Sequence, residues 1–296
     1  MKKADVTIIG AGPAGVTAAI QLKRSGIHPV IVEKQKVGGL VNNAHWIENY
    51  PGFPDGIAGG QLASLLAMHL DAAGLDVLFE EVIRLDRNGR HFLVETAARR
   101  WISGIVIMSS GTKPRPLPEL VITREAEHYI FYEIVPIRDC VGRKIAIVGG
   151  GDAAFDYALS LATNNDVVIL NRSKEARCLP LLRKRADESR RITVLDRATI
   201  QAIMNVTPDG LYLACLLHEK QVSCHVNHLV IAVGREPQRD YLSDAVISES
   251  DKLKMGGMLY EIGDICNGAF RQASIAVGDG MRTAMSIRER LMRRDL

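Results

Sequence analysis

Hydrophobic residues near the start of the chain change from a short continuous run to a helical spacing and back again. Residues 6–9 are apolar and end at a glycine, residues 14–25 carry apolar side chains at helical spacing, and residues 29–32 are apolar again. Short apolar runs bounded by glycine are typical of buried strands, and a 3.6-residue period is typical of an amphipathic helix. The pattern predicts a strand, a helix and a strand.

The same order of elements returns in the middle of the chain. Residues 145–148 and 167–170 are short apolar runs, and residues 153–163 between them have helical spacing. A strand–helix–strand unit with a glycine-rich first turn is the building block of Rossmann-type nucleotide-binding domains. The chain is therefore predicted to be an α/β protein with two Rossmann-like domains.

Two proline-containing segments mark the expected domain boundaries. Prolines cluster within residues 113–118, and Gly-Arg-Glu-Pro occupies residues 234–237. Such segments are typical of linkers. We expect a discontinuous first domain, residues 1–112 plus 238–296, with a second domain, residues 113–237, inserted into it.

A hairpin is expected inside the second domain. Residues 211–217 and 222–226 both alternate in the manner of strands, and a turn at Glu219-Lys220 would place Cys215 opposite Cys224. We interpret these two cysteines as free thiols, since a reducing compartment disfavours disulfides.

Composition restricts the class of protein further. The 296 residues are 47% hydrophobic and 24% charged, which is typical of a globular chain with about two domains. The net charge is only +3 and no basic run exceeds three residues, so no nucleic-acid footprint is expected. No apolar stretch is long enough for a membrane span, and the N-terminus lacks a signal-peptide pattern, which predicts a cytoplasmic protein. The spacing of the five cysteines fits neither a metal site nor a disulfide framework.

The first glycine-rich turn is the strongest chemical motif. Gly10, Gly12 and Gly15 lie between the first strand and helix, and Glu33 ends the next strand. In this motif the glycines permit a tight turn, close approach of a pyrophosphate and helix–strand packing, while the acid binds a ribose. Pro13, Ala14 and Lys34 complete this predicted dinucleotide site. The alternative is a glycine-rich turn without a ligand.

The second copy differs at the position of the acid. Gly149, Gly151, Asp152 and Ala153 form its glycine turn, but Asn171 and Arg172 stand where an acid is expected, with Lys174 and Arg177 nearby. Arginine suits a 2′-phosphate, whereas a carboxylate would repel it. NADPH is therefore favoured over NADH, which stays as the alternative, and a solvated basic loop is the simpler explanation of the arginines.

Further segments extend the pattern along nearly the whole chain. They are Gly38-Gly39, the run from Glu48 to Pro54, Gly111, Gly263-Asp264 and Arg271-Gln272-Ala273. With the two glycine turns, they make the chain resemble the small two-domain flavoproteins of the thioredoxin reductase type. The resemblance implies an FAD site in the first domain that includes Gly39, Asn49, Val82, Gly111, Gly263, Asp264, Arg271, Gln272 and Ala273, and NADPH in the second. The simpler alternatives are a turn cap for Asn49, a helix cap for Asp264 and an exposed helix start for residues 271–273.

The dithiol of thioredoxin reductases is missing from the sequence. Tyr132 and Val135 stand at the positions of the Cys-x-x-Cys pair, and no such pair occurs anywhere in the chain. The stretch around Tyr132 looks instead like the thioredoxin-reductase-type ferredoxin/flavodoxin NADP reductases. That resemblance implies electron transfer from NADPH through FAD to a protein carrier or a small acceptor, with Asn49 and Tyr132 as the candidate catalytic residues.

The resemblance also suggests partners. A homodimer is the family expectation, and the final helix, expected over residues 275–292 and rich in arginine to residue 294, suggests a docking face for an acidic ferredoxin or flavodoxin. Arginines near a helix C-terminus also complement the helix dipole without any partner. Two other functions stay open: a non-catalytic or sensor flavoprotein, and a reductase that uses the cysteines of a partner protein.

Overall fold

Two compact units make up the protein in the computed structural model, which describes residues 2–294 and the side chains of residues 2–292. The first unit contains residues up to Asn42, Ile47–Lys113 and Glu236 onward, and the second contains Asn43–Trp46 and Pro114–Arg235. Each unit is built on its own parallel sheet. The predicted α/β fold is confirmed.

Seventeen strands and seven α-helices are found among the described residues. The strands are β1 (Lys2–Ile9), β2 (Val30–Glu33), β3 (Val77–Phe79), β4 (Val82–Asn88), β5 (His91–Thr96), β6 (Arg100–Met108), β7 (Thr112–Pro114), β8 (Ile130–Phe131), β9 (Lys144–Val148), β10 (Asp166–Asn171), β11 (Ile192–Asp196), β12 (Ala198–Thr207), β13 (Gly210–Leu217), β14 (Lys220–Val226), β15 (His228–Ile231), β16 (Arg235–Pro237) and β17 (Leu259–Glu261). The helices are α1 (Pro13–Arg24), α2 (Gly59–Ala72), α3 (Asp152–Leu161), α4 (Pro180–Glu188), α5 (Asp244–Ser248), α6 (Ser250–Met255) and α7 (Ala273–Arg294).

The sheet of the first unit has the order β3-β2-β1-β6-β5-β4. Strands β3, β2, β1 and β6 are parallel, while β4, β5 and the first half of β6 form an antiparallel meander. The second half of β6 pairs instead with β17, which comes from the C-terminal part of the chain. Strand order therefore reverses at β1, and such a switch point is where open α/β sheets bind ligands.

Helices α1 and α7 pack closely on the first sheet. A Cβ atom on Gly280 of α7 would lie 2.3 Å from the carbonyl oxygen of Ala14, so glycine lets the two helices approach. The apolar residues of α1, including Val16, Ala18 and Leu22, are fully buried in this cluster. Burial of this face explains the helical spacing seen in the sequence.

The second unit contains the second strand–helix–strand copy. Its parallel sheet has the order β11-β10-β9-β15-β8, so the order reverses at β9, directly before the second glycine turn. A three-stranded antiparallel sheet, β12-β13-β14, packs with it around a shared apolar cluster.

The register of the β13–β14 hairpin differs from the expected one. The turn residues are His218 and Glu219, both with positive φ (47° and 68°), and Cys215 pairs with Val222 while Leu213 pairs with Cys224. The prediction that Cys215 lies opposite Cys224 is therefore wrong, and the register differs from it by two residues. Because two positive φ values match the strand twist, the hairpin closes one residue earlier than the turn chosen from the sequence.

The two segments that connect the units are short strands. Strand β7 follows the first unit's β6, strand β16 follows β15, and the two pair with each other. They coincide with the proline-containing segments of the sequence. The identification of the units as the FAD-binding and NAD(P)H-binding domains stays a prediction.

Candidate functional site

The turn between β1 and α1 requires glycine at two positions. Gly10 has a φ of 105°, and a Cβ atom there would lie 2.4 Å from the carbonyl oxygen of Ser109. A Cβ atom on Gly15 would lie 2.0 Å from the carbonyl oxygen of Gly10. The Ser109 hydroxyl lies 2.8 Å from that oxygen and 3.0 Å from the carbonyl oxygen of Ile9. Ser109, which the sequence analysis missed, therefore fixes the turn from the end of β6.

Gly12 has a different role in the same turn. It is the N-cap of α1, no side chain caps the helix, and a Cβ atom on Gly12 would meet no atom within 4 Å. Pro13 occupies the first turn, where its missing N–H costs nothing. The positive end of a 12-residue helix thus opens onto space beside Gly12, an arrangement suited to a diphosphate.

The acid at the end of β2 is buried beside this turn. Glu33 is 8% exposed, and its carboxylate accepts hydrogen bonds from the backbone N–H groups of Ala11 (2.8 Å) and Gln35 (3.0 Å). Lys34 next to it is exposed. Val82, at the start of β4, is buried in the same apolar cluster as Val32.

Two distant glycines of the predicted site lie beside the first turn. A Cβ atom on Gly39 would lie 3.5 Å from the Cα of Gly12, and one on Gly263 would lie 3.0 Å from the Cβ of Ala14. The Gly263 N–H donates to the Asp279 carboxylate at 3.1 Å. Asp279 therefore holds the Gly263 turn, a role with no clear signal in the sequence.

The same carboxylate of Asp279 also accepts from the Asn267 side chain at 2.7 Å. Asp264 follows Gly263 in a short 3-10 helix and is half-buried. These contacts fix the segment that leads from β17 to α7.

Asn49 and Gln272 come together from opposite ends of the sequence. The Asn49 side-chain amide donates to the Gln272 side-chain oxygen at 3.0 Å, and the Ser274 hydroxyl donates to the Asn49 carbonyl oxygen at 3.4 Å. Ala273 is the first residue of α7, and Arg271, two residues earlier, is half-buried. The contact joins two of the segments on which the resemblance rests.

Gly111 has a φ of 65°. Its carbonyl oxygen accepts from the Gln238 N–H at 3.0 Å. This bond links the two segments by which the chain leaves and re-enters the first unit. A left-handed backbone of this kind favours glycine.

The glycine turn of the second unit repeats the geometry of the first. A Cβ atom on Gly149 would lie 2.4 Å from the carbonyl oxygen of Ala232, whereas one on Gly151 would meet no atom within 4 Å. Gly151 is the N-cap of the 10-residue helix α3 and no side chain caps it. This second helix N-terminus is also suited to a diphosphate.

Asn171 occupies the position of the usual acid at the end of β10. It is 2% exposed, and its side-chain amide donates to Asp196 at 2.7 Å and to the Ser173 carbonyl oxygen at 3.1 Å. Asp196 ends β11 and lies level with Asn171. The sequence analysis missed Asp196 because its partner is a strand neighbour rather than a chain neighbour.

The predicted phosphate-binding arginines lie in the loop that follows this strand. Arg172 and Arg177 are exposed, and the Arg177 N–H donates to the Gly150 carbonyl oxygen at 2.7 Å. The Asp152 carboxylate accepts from the Leu179 N–H at 2.7 Å, and Ala153 beside it is exposed. The part of the β10–α4 loop that leads into α4 is thereby tied to the glycine turn.

The segment around Tyr132, predicted to occupy the place of the dithiol, is held by a residue from far along the chain. The Asn43 side-chain oxygen accepts from the N–H groups of Ile134 (3.0 Å) and Val135 (3.1 Å). Glu133 accepts from Asn43 at 3.2 Å and pairs with Arg235 at 3.0 Å. Tyr132 is half-buried and packs against the apolar cluster of the second unit.

Asp156 lies one turn after Asp152 on α3. Its carboxylate accepts from the His45 N–H at 2.8 Å, and the Trp46 N–H also donates to it. Burial raises the pKa of Asp156 to about 6, against the effect of these two hydrogen bonds and of Arg138. Burial also lowers the pKa of His45, as do Arg185 and Arg138.

No helix within residues 2–294 is both long and apolar enough to cross a bilayer.

Comparison with known proteins gives a consistent result. The family model for pyridine nucleotide-disulphide oxidoreductases matches residues 4–280. The bifunctional thioredoxin reductase/thioredoxin of Mycobacterium leprae is 29% identical over 95% of this chain, which spans 64% of that protein. The ferredoxin–NADP reductase of Ignicoccus hospitalis is 30% identical over 79% of this chain and 77% of its own length.

Solved structures show the same fold. The thioredoxin reductase of T. acidophilum superposes with a TM-score of 0.85 at 25% identity, over 99% of this chain and 100% of its own. That of Lactococcus lactis gives 0.83 at 25% identity, over 96% of this chain and 97% of its own. With two Rossmann-like units, a thioredoxin-reductase-like fold and a family model that matches most of its length, the chain belongs to the pyridine nucleotide-disulphide oxidoreductase family.

Proposed function

We propose that this chain is an FAD-dependent NAD(P)H oxidoreductase. It passes electrons to its acceptor without an active-site dithiol of its own. One observation supports this most strongly: each unit presents an uncapped helix N-terminus, at Gly12 and at Gly151, where the strand order of its sheet reverses. Two such helix N-termini fit two dinucleotides. The sequence offers no Cys-x-x-Cys pair to take the electrons onward.

The first unit is proposed to hold FAD. The open space beside Gly12 fits a diphosphate, and buried Glu33 has lone pairs left to accept from a ribose. The residues assigned to FAD are Gly10, Gly12, Pro13, Ala14, Gly15, Glu33, Lys34, Gly39, Asn49, Val82, Gly111, Gly263, Asp264, Arg271, Gln272 and Ala273. When bound, FAD would accept a hydride from NADPH and could release electrons one at a time.

The second unit is proposed to hold NADPH. The residues assigned to it are Gly149, Gly151, Asp152, Ala153, Arg172 and Arg177. Exposed Arg172 and Arg177 supply donors and charge for a 2′-phosphate, and the usual acid is replaced by neutral Asn171. NADH is the weaker alternative substrate.

The chain's own residues are proposed to act by positioning. Asn49, fixed by Gln272, and Tyr132, fixed by its apolar cluster, are the candidates for contact with the reacting rings. Holding two reactants at the right distance removes much of the entropic barrier of a bimolecular step.

An acidic carrier protein such as ferredoxin or flavodoxin is the proposed acceptor, with a small oxidant such as a quinone as the alternative. The exposed face of α7 carries Arg282, Met285, Ser286, Arg288, Glu289 and Met292 side by side. Arginine and methionine side chains together suit an acidic partner with an apolar contact. Arg293 and Arg294, also part of the expected docking face, have side chains outside the described residues.

The test is spectroscopic and kinetic. Purified protein should be yellow and should reduce an artificial acceptor with NADPH, and alkylation of its thiols should not lower that rate. Protein that is colourless and takes up no added FAD contradicts the proposal.

Stopped-flow mixing with NADPH separates the other functions. Prompt bleaching of the flavin band supports an enzyme, and no bleaching supports a sensor flavoprotein. NADPH oxidation that starts only when a cysteine-bearing partner protein is added supports a reductase that borrows its dithiol. The homodimer and the cytoplasmic location stay predictions, and sedimentation of the purified chain checks the first.

A further inference from the structure

Two cysteine side chains lie next to each other on the β13–β14 hairpin. Cys224 pairs with Leu213 and Cys215 pairs with Val222, so the two cysteines occupy neighbouring pairs on the same face of the sheet. Their sulfurs are close enough for one thiol to hydrogen-bond the other. No other two cysteines are so close to each other in the sequence.

The two thiols have different surroundings. Cys215 is buried, with 3% of its surface exposed, whereas Cys224 is half-buried at the rim of the apolar cluster. Cys224 also belongs to β14, an outer strand that pairs only with β13 in its sheet. A reagent can therefore reach Cys224 more easily than Cys215.

The groups around Cys224 favour its thiolate form. The hydrogen bond with Cys215 and the charge of nearby Lys144 both lower the pKa of Cys224, against the opposing effect of burial. As the donor of that bond, Cys215 has its own pKa raised.

The three remaining cysteines behave differently. Burial raises the pKa of Cys140, Cys178 and Cys266. Since thiolates are the reactive form, Cys224 differs from the other four cysteines in both geometry and charge.

We propose that Cys215 and Cys224 form an oxidisable thiol pair, a modification site in which Cys224 reacts first and Cys215 completes a disulfide. The site lies on the antiparallel sheet and uses none of the residues assigned to FAD or NADPH. It therefore stands or falls independently of the proposed electron transfer.

The reaction with a peroxide balances as follows. The Cys224 thiolate attacks one oxygen of hydrogen peroxide, an S–O bond forms, the O–O bond breaks, and the hydroxide released takes a proton to become water. Cys215 then loses its proton and attacks the Cys224 sulfur, an S–S bond forms, and the S–O bond breaks to release a second water. The two sulfurs together lose two electrons, and the peroxide gains two.

Closing the bond requires the backbone of the hairpin to adjust. The sulfurs must approach to a bond length of about 2.05 Å, and the Cα atoms of diagonal pairs start about 7–8 Å apart, whereas disulfides usually need about 4.4–6.8 Å. Because β14 is paired along one edge only in its sheet, its backbone can adjust around Cys224 without breaking a second ladder.

Peptide mapping tests the proposal on the wild-type holoprotein. Trypsin cleaves after Arg197, Lys220 and Arg235, which puts Cys215 and Cys224 on separate peptides. After brief treatment with equimolar hydrogen peroxide, we expect the two peptides to be joined by a disulfide and the other three cysteines to remain alkylatable. Oxidation of Cys266 or Cys178 before Cys224, or sulfenic acid on Cys224 without a cross-link, overturns the proposal.

Variants and labelling rates give a second readout. At pH 7, Cys224 should react with iodoacetamide roughly tenfold faster than Cys266, because a larger fraction of it is thiolate. In Cys215→Ser, sulfenic acid on Cys224 should persist and be trapped by a 1,3-diketone, whereas the matched control Cys266→Ser should still form the disulfide. Equal labelling rates of Cys224 and Cys266 in the wild-type protein contradict the proposal without any variant.

Discussion

At the scale of single residues, Gly12 and Gly15 of the first turn have different roles, since Gly12 is needed for binding and Gly15 for folding. A methyl group on Gly12 meets no protein atom, whereas one on Gly15 collides with the Gly10 carbonyl oxygen at 2.0 Å. Gly12→Ala should therefore fold normally but lose bound FAD, since the methyl group fills the space beside the helix N-terminus. Gly15→Ala should lower the free energy of unfolding by roughly 2 kcal/mol.

Two measurements check this pair of variants. Urea unfolding of the cofactor-free proteins gives the stabilities, and the ratio of absorbance at 450 and 280 nm gives the flavin content. Full flavin content in Gly12→Ala, or wild-type stability in Gly15→Ala, contradicts the prediction.

Arg172 provides a prediction about nucleotide choice. Removal of its exposed guanidinium from the end of β10 should raise the KM for NADPH about tenfold, equivalent to about 1.4 kcal/mol, and leave the KM for NADH nearly unchanged. Steady-state kinetics of Arg172→Ala with both nucleotides measures this. Arg124→Ala, another exposed arginine of the second unit, is the matched control and should change neither value. Equal increases for both nucleotides argue against a phosphate contact.

Asp156 should make stability depend on pH. Its pKa is raised from an ordinary value of 3.8 to about 6 in the folded protein, so the folded state binds a proton more readily than the unfolded state. Its contribution to stability therefore falls as the pH rises from about 4 to about 6, by about 3 kcal/mol in all.

Comparison with Asp156→Asn isolates this group. The asparagine oxygen can still accept from the His45 N–H group, and the side chain carries no charge. The difference in free energy of unfolding between variant and wild type should increase in favour of the variant from pH 4 to pH 7, measured by urea titration. A difference that is independent of pH contradicts the raised pKa.

How much of the site the sequence predicts depends on the kind of residue. Glycines such as Gly10 and Gly149 are predictable because their positive φ and close contacts allow no other side chain. Ser109, Asp279 and Asp196 are not, because each acts through one hydrogen bond to a distant part of the chain and many residue types could stand there. Residues that satisfy a backbone constraint can be identified from the sequence, whereas the partners of a polar side chain depend on the tertiary fold.

At the scale of elements, strands and helices follow the hydrophobic pattern closely. The expected strand at 6–9 and helix at 14–25 correspond to Lys2–Ile9 and Pro13–Arg24. The β13–β14 hairpin departs from expectation only in its register, because alternation fixes which face a residue occupies but not which residue lies opposite. The turn decides the register, and His218-Glu219 has no glycine or asparagine to reveal it.

This turn gives a prediction about stability. Glu219 has a φ of 68°, a conformation that disfavours residues with a Cβ atom. Glu219→Gly should raise the free energy of unfolding by about 1 kcal/mol, whereas Glu219→Ala should not. Chemical denaturation of both variants measures the difference. A loss of stability in Glu219→Gly indicates that the Glu219 side chain contributes more than the strain costs.

At the scale of the whole molecule, charge on α7 should affect only reactions with a protein acceptor. Arg288→Glu should slow reduction of an acidic carrier several-fold at low salt, with a smaller effect at high salt, because screening removes the attraction. Reduction of a small artificial acceptor should stay unchanged.

A matched control makes this test specific. Arg90→Glu changes the same charge on the exposed β4–β5 turn and should leave both rates as they are. Equal slowing by the two variants indicates an effect of net charge and contradicts docking on α7.

The pairing of β6 with β17 bears on the order in which the molecule assembles. During synthesis on the ribosome, residues 114–235 emerge with every strand of their own parallel sheet, so this inserted part can close its core while translation continues. The first unit cannot complete its core until β17 and α7 have been synthesised. These two elements lie near the end of the chain and supply a partner for β6 and the helix that covers α1. A released chain truncated before residue 259 should therefore resist protease in its middle and remain sensitive at its beginning.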